Sequence, residues 1–137
     1  MNIHHLFDPD TFTLTYIVSD SKSKDAVIID PVLDFDQASG ELTSLSLNRI
    51  TDYIRENNLN VRAILETHAH ADHLSSSQVL KKIYPQAILG IGEKIQLVQE
   101  TFKTYFNIDY FHCGCSSFRQ GFVDSNCSRR FHLVYYP

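Results

Sequence analysis

The chain has 137 residues, 43% of them apolar, and a formal net charge of −4. That length suits one domain with a real core, and the composition is not that of a disordered chain. The mild acidity and the lack of any Lys/Arg block argue against a nucleic-acid surface. The longest apolar runs, such as Ala26-Val27-Ile28-Ile29, are too short for a membrane span. The start, Met-Asn-Ile-His-His, lacks a basic region followed by an apolar one, so no secretory signal is expected and a cytoplasmic location is the default. Cys113, Cys115 and Cys127 all lie near the end of the chain. Their odd number, without an export signal, argues against a disulfide framework.

Residues 11–19 alternate with high β-branched content, with Phe12, Leu14 and Tyr16 on one side, and predict a strand. Residues 26–30 predict a second, more buried strand that pairs with it as a hairpin. Residues 31–42 predict a loop, because Asp34, Asp36, Ser39 and Gly40 break any period. A helix follows from about Ser46, with Leu47, Ile50, Tyr53 and Ile54 at helical spacing and Asn57-Asn58 as its end. Residues 61–66 predict a third strand and 67–73 the turn after it. Residues 74–84 predict a helix with Leu74, Val79, Leu80 and Ile83 inward and Pro85 as its stop. Residues 87–91 predict a fourth strand. Residues 94–106 predict a third helix with Ile95, Leu97, Val98, Phe102 and Phe106 inward. Strands alternating with helices in this order predict an α/β layer structure.

Residues 111–137 read differently. Up to Tyr110 the chain has 9 Lys+Arg and 15 Asp+Glu, a net of −6, whereas the rest has three Arg and Asp124, a net of +2. No apolar period there runs far enough to predict an element, apart from a possible strand over residues 131–136.

The chemistry concentrates in Thr67-His68-Ala69-His70-Ala71-Asp72-His73. Three imidazoles and a carboxylate sit within six residues, directly after a buried strand. His68 and His70 are two apart and point the same way in extended backbone. Asp72 and His73 are expected at the start of the following helix, where they reach the same place from the other side. The end of a strand is where open α/β sheets bind ligands. Imidazole and carboxylate suit Zn²⁺, Fe²⁺ or Mn²⁺, and such an ion acidifies bound water or acts as a Lewis acid. The plain alternative is that Asp72 only caps the helix at Leu74 and that the histidines are ordinary surface residues.

The string T-H-A-H-A-D-H resembles the signature of the metallo-β-lactamase superfamily, whose fold is an αββα sandwich. The flanks Ile28-Ile29-Asp30-Pro31-Val32-Leu33-Asp34, Ile64-Leu65-Glu66, Leu74-Ser75 and Gly90-Ile91-Gly92-Glu93, with Val98-Gln99 and Phe102, resemble the persulfide dioxygenase branch and its bacterial lactamase-hydrolase-like relatives. Glyoxalase II, a sister branch, usually follows its motif with Gly-Gly, where this chain has Leu74-Ser75. The resemblance spans residues 7–108 and implies the N-terminal half of the sandwich, a mixed β-sheet with flanking helices. It also implies a metal site at His68, His70, Asp72 and His73, with Asp72 catalytic.

In the dioxygenase branch one Fe²⁺ is held by the first His of the motif, here His68, and by a later His and Asp. In two-zinc relatives His68 and His70 hold one Zn²⁺, and Asp72 with His73 holds the other. The implied activity is oxidation of glutathione persulfide to sulfite by O₂. The alternatives are hydrolysis of a thioester, as in glyoxalase II, or of a lactam, and a non-catalytic remnant. The implied partner is a small thiol or persulfide, with neither nucleic acid nor membrane.

The superfamily's later G-H-T-like and G-D-like strings do not occur in this sequence. His112, Asp124, His132 and the three Cys are the only later candidates, and none has the expected context. Residues 1–110 therefore read as a partial metallo-β-lactamase domain, and residues 111–137 as a divergent Cys-containing tail. Three explanations are open: a truncated or frame-shifted member, a replacement ligand set of His112, Cys113 and Cys115, or ligands borrowed from a partner chain. A half sandwich would leave its inner sheet face uncovered, which favours homo-oligomers or aggregation.

Overall fold

The structure is a computed structural model that describes residues 1–106 and the strand Ser116–Phe118. The chain begins with β1 (Asn2–Asp8), β2 (Thr13–Ser19) and β3 (Asp25–Ile29). Three two-residue strands follow: β4 (Val32–Leu33), β5 (Phe35–Asp36) and β6 (Glu41–Leu42). Then come α1 (Leu45–Glu56), β7 (Asn60–Glu66), β8 (Leu74–Ser75), α2 (Ser77–Ile83), β9 (Ile88–Gly92), α3 (Ile95–Phe106) and β10 (Ser116–Phe118).

The main sheet has the order β1-β2-β3-β7-β9-β10. Its first three strands are antiparallel, and β3, β7, β9 and β10 run parallel. The parallel part is linked by α1, α2 and α3 in turn, as crossovers between parallel strands require.

One register row explains the core. Ile17 lies opposite Ile28, Ile28 opposite Ile64, and Ile64 opposite Leu89. All four are buried, together with Ile50 and Ile54 of α1 and Leu80 of α2. The spacing of Ile50 and Ile54, four apart, puts both on the sheet-facing stripe of α1. Asp34 fixes the start of that helix, since its carboxylate accepts from the Ser46 backbone N–H at 2.9 Å and from the Ser46 hydroxyl at 2.7 Å. A carboxylate there satisfies an otherwise free N–H and favours the helix dipole.

The structure departs from the sequence expectations at definite places. β1 was not foreseen: Asn2-Ile3-His4-His5-Leu6-Phe7 has no clean alternation, but it pairs with β2 along its whole length. The predicted helix over 74–84 begins instead at Ser77, because Leu74 and Ser75 pair with Leu33 and Val32. That pairing is long-range and overrides local helical spacing. Leu74 therefore sits in a strand, and Ile83, expected inward, is 46% exposed. In α3, Leu97 and Phe102 are exposed rather than inward. Ser116–Phe118 joins the sheet beside β9, where no element was foreseen. The possible strand over 131–136 lies outside the described residues, as do His112, Cys113, Cys115, Asp124, Cys127 and His132.

Among the described residues the second face of the sheet is apolar and open. Its rows include Ile3, Val18, Val27, Ala63 and Ile88, then Tyr16, Ile29 and Leu65, then Phe7 and Leu14. Ile3, Phe7, Leu14, Tyr16 and Ile88 are all exposed. Contiguous apolar surface of this kind drives association. The 137-residue chain is expected to self-associate at micromolar concentration in light scattering, and an Ile3→Lys/Ile88→Lys variant to associate less. A monodisperse wild-type monomer would contradict this.

Candidate metal centre

β7 delivers the motif. Its last residue is Glu66, and the loop over residues 67–73 turns over the strand end before β8. A carboxylate just past the end of β3 organises that loop. Asp30 follows β3 in a left-handed conformation, φ 49°, which Asp tolerates better than most residues. Its backbone is held on both sides: its N–H donates to the Leu65 carbonyl at 2.9 Å, and its own carbonyl accepts from the buried Thr15 hydroxyl at 2.9 Å. Its carboxylate Oδ1 accepts from the Thr67 backbone N–H at 2.7 Å, and Oδ2 accepts from the Thr67 hydroxyl at 2.7 Å. Oδ1 also lies 3.0 Å from Nε2 of His70. Burial pushes the Asp30 carboxyl up, but these Thr67 and His70 contacts outweigh it and hold the group below the usual carboxylate range.

His70 is a half-buried residue whose side chain is almost fully enclosed. Its Nε2 edge faces Asp30 and Glu66, with Glu66 Oε2 at 3.1 Å. Burial alone lowers the affinity of this ring for a proton, but the hydrogen bonds and charges of Glu66 and Asp30 reverse the effect and raise it above its ordinary value. The other edge, Nδ1, lies 3.9 Å from Asp72 Oδ1. Asp72 is open to solvent, at 53% side-chain exposure, and Oδ1 is also 3.2 Å from His73 Nδ1. Slight burial raises the Asp72 carboxyl, but its own backbone N–H and the neighbouring rings of His73 and His70 hold it below the ordinary value.

His73 decides how the cluster is read. Its side chain is 1% exposed, yet among the described residues neither ring nitrogen makes a hydrogen bond. Asp72 is close enough to attract Nδ1, but without hydrogen-bond geometry. Burial and the adjacent His70 keep this ring below its ordinary pKa, against the opposing pull of Asp72 and Glu66. A neutral imidazole whose N–H and single free lone pair are both unused, buried beside a carboxylate, is a costly arrangement unless an electrophile takes that lone pair. One donor atom from each of His70, Asp72 and His73 lies within 4.8 Å of the others. Two imidazoles and a carboxylate fit Zn²⁺ or Fe²⁺.

His68 stands apart from this group. It is exposed, and its Nδ1 lies 2.7 Å from the Thr67 hydroxyl. Its ring packs 4.3 Å from that of His70, centroid to centroid, so the two-residue spacing does put the rings side by side. Asp72 does not cap a helix at Leu74, because α2 starts at Ser77 and both Asp72 and His73 lie in the loop. Sequence reasoning did not single out Asp30 and Glu66 as site residues. Asp30 lies some 40 residues from the ring it holds, so no local pattern reveals it.

A metallo-beta-lactamase superfamily pattern matches residues 8–105. The chain belongs to the metallo-beta-lactamase superfamily. Within that superfamily it is 42% identical over 109 residues to "Glyoxylase B2" of Dictyostelium discoideum, covering 79% of this chain and 37% of the relative. It is 32% identical over 83 residues to "Persulfide dioxygenase ETHE1, mitochondrial" of Bos taurus, covering 61% of this chain and 28% of the relative. The crystal structure of ETHE1 from Myxococcus xanthus superposes with a TM-score of 0.54 at 31% identity, covering 65% of this chain and 34% of that one. The persulfide dioxygenase branch expected from the flanking residues is thus among its relatives, and the mixed sheet with three helices is part of the superfamily fold. The chain spans 37% or less of the length of these proteins.

Proposed function

We propose that this metallo-beta-lactamase fold serves a metal-dependent oxidation of a small persulfide, such as glutathione persulfide, to sulfite with O₂. In this reading one Fe²⁺ per site would be held by His68 of the motif, with His70, Asp72 and His73 lining the pocket beside it; in a zinc site all four would be ligands. When bound, such an ion supplies the centre at which a persulfide sulfur and O₂ react. The observation that carries the metal reading is His73, buried beside Asp72 and His70 with neither ring nitrogen hydrogen-bonded among the described residues. The persulfide reading draws its support from the flanking residues of the motif and from the 32% identical relative.

The protein's own groups divide the remaining work. His70 and His73 offer buried imidazole nitrogens in fixed positions. Asp72 is the solvent-facing member, ionised at neutral pH, and is the group able to take a proton from an incoming thiol or persulfide. Ala69 and Ala71 keep the approach unobstructed by bulk. A cytoplasmic location and a domain boundary near residue 110 belong to the same proposal.

A second reading has specific support. The donors that gather are His70, Asp72 and His73, the zinc-type members of the motif, while His68 lies outside that group. Together with the 42% identical glyoxylase relative, this favours a Zn²⁺-dependent thioester or lactam hydrolase. A non-catalytic protein is the third outcome.

Anaerobic loading with Fe²⁺, or loading with Zn²⁺, followed by metal counting tests the site. About one iron per chain and oxygen uptake with glutathione persulfide are expected. No uptake at stoichiometric iron would sink the dioxygenase reading, and thioester hydrolysis by the zinc form would establish the hydrolase. Replacing His73 with Ala is expected to weaken metal binding by at least about tenfold. Unchanged stoichiometry and affinity would remove His73 from the site.

A further inference from the structure

The three carboxylate and imidazole groups on the inner side of the motif, Asp30, Glu66 and His70, have donor atoms within 4.8 Å of one another. Glu66 is the least expected of them. It ends β7 on the core side of the sheet, with its side chain only 6% exposed. A buried carboxylate is costly unless neighbours use it. Both of its oxygens face such neighbours. Oε1 accepts from the Ser75 hydroxyl. Oε2 has no hydrogen-bond partner and lies 3.1 Å from Nε2 of His70.

The direction of the Ser75 contact is fixed by a second bond. The Ser75 oxygen accepts from the Ser77 backbone N–H at 3.0 Å, which leaves its proton for Glu66. Ser75 is in turn held by β8, which pairs with Val32 just past Asp30-Pro31, and by the Ser76 N–H donated to the Pro31 carbonyl at 2.8 Å. One framework therefore places both carboxylates against the same ring edge.

We propose that Glu66 is a positioning residue: with Asp30 it clamps the Nε2 edge of His70, Ser75 holds the clamp, and Nδ1 is thereby the atom His70 turns toward Asp72 and His73. The hydrogen on Nε2 is directed at Asp30, and Glu66 pulls on the same edge from the other side. A ring fixed in this way cannot flip to present Nε2 to an ion. Partners of this kind, bonded to the far nitrogen of a ligand histidine, set its tautomer and orientation. The proposal rests on reading His70, Asp72 and His73 as a metal centre.

The test uses the full chain labelled with ¹⁵N-histidine and two readouts, in wild type, Glu66→Leu, Glu66→Gln and Ser75→Ala, with folding checked by circular dichroism. The first readout is the His70 ring N–H in metal-free protein, assigned with a His70→Gln variant. Wild type is expected to show a ring N–H protected from water. Glu66→Leu is expected to speed its exchange about tenfold. Glu66→Gln is expected to restore protection, because its amide keeps a polar oxygen against the same ring edge and still accepts from Ser75. The second readout is Co²⁺ affinity by visible absorption, expected to fall about 10- to 100-fold in Glu66→Leu and only a few-fold in Glu66→Gln. If Glu66→Leu does not fold, Ser75→Ala is expected to move both readouts in the same direction by a smaller factor. Wild-type exchange and Co²⁺ affinity in Glu66→Leu, or in Ser75→Ala where the Leu variant does not fold, would overturn the proposal. Failure of wild type to bind Co²⁺ would remove the metal reading, and the ring N–H exchange would still decide whether Glu66 clamps His70.

Discussion

Replacing Asp30 with Ala is expected to destabilise the metal-free protein by about 3–4 kcal/mol in urea unfolding, and to abolish tight metal binding. The carboxylate accepts from the Thr67 N–H, the Thr67 hydroxyl and His70. Hydrogen bonds to a charged group are worth about 1.5–3 kcal/mol each, and bonds sharing one acceptor group are not additive. Removing it takes the acceptor from the Thr67 N–H at the point where the motif begins and leaves the Thr67 hydroxyl only His68 Nδ1. A second cost is conformational, because Asp30 is at φ 49° and Ala is less at ease there than Asp, by roughly 1 kcal/mol. Two further variants separate the terms. Asp30→Gly removes the carboxylate but relieves the backbone, and is expected to be about 1 kcal/mol more stable than Asp30→Ala. Asp30→Asn keeps one acceptor oxygen and is expected to fall between Ala and wild type. An Ala variant within 1 kcal/mol of wild type, as a rough margin, would show that the loop over residues 67–73 holds its shape without β3.

The parts of the fold written in local pattern were legible, and the parts made by distant pairing were not. β2, β3, β7 and β9 are apolar, β-branched runs, and each lies within a few residues of its expected position. The inner stripe of α1 followed from the spacing of Ile50 and Ile54, both buried as expected. β1 escaped notice because it sits at the sheet edge, where pairing rests on backbone bonds and not on a side-chain period. β8 escaped because its partner, Val32–Leu33, is 41 to 43 residues away. For α3 the apolar stripe was visible, but a stripe does not say whether a surface exists to cover it. Leu97 is 62% exposed.

The same division runs through the site. A dense string of ligand-type residues after a buried strand is a local signal, so His68, His70, Asp72 and His73 were singled out together. The residues that orient the string, Asp30 and Glu66, each look like an ordinary strand-end acid in one dimension. Only the register of β3 beside β7 puts Asp30 next to Thr67 and His70. The unequal roles of the three histidines were equally hidden. Spacing treats His68 and His70 alike, whereas the fold encloses one and leaves the other exposed.

Gly92 shows how tightly that loop is seated, and its replacement by Ala should be the second large effect. A Cβ built at Gly92 would come closer than 3.0 Å to the Thr67 carbonyl oxygen and to 3.5 Å from the carbonyl carbon. Gly92 ends β9, and Thr67 stands one residue before His68. Both partners in the clash are backbone or backbone-attached, so neither can swing aside as a flexible side chain would. Either β9 moves away from β7 or the Thr67 peptide moves out. The bonds from Thr67 to Asp30 oppose the second course, and the parallel pairing of β7 with β9 opposes the first. Overpacking of this kind costs about 1–3 kcal/mol. The functional cost should exceed the structural one, because a shift of a few tenths of an ångström at Thr67 displaces the residues that follow it. Gly92→Ala is therefore expected to lose about 2 kcal/mol of stability and at least about tenfold in Co²⁺ or Zn²⁺ affinity, by urea unfolding and metal titration. Gly40→Ala serves as the control. Gly40, unlike Gly92, has a positive φ, 73°, and a Cβ there meets nothing within 4 Å. It should therefore lose about 1 kcal/mol from backbone strain and keep wild-type metal affinity. Equal metal affinity in the two variants would mean that the contact between Gly92 and Thr67 does not set the position of the motif.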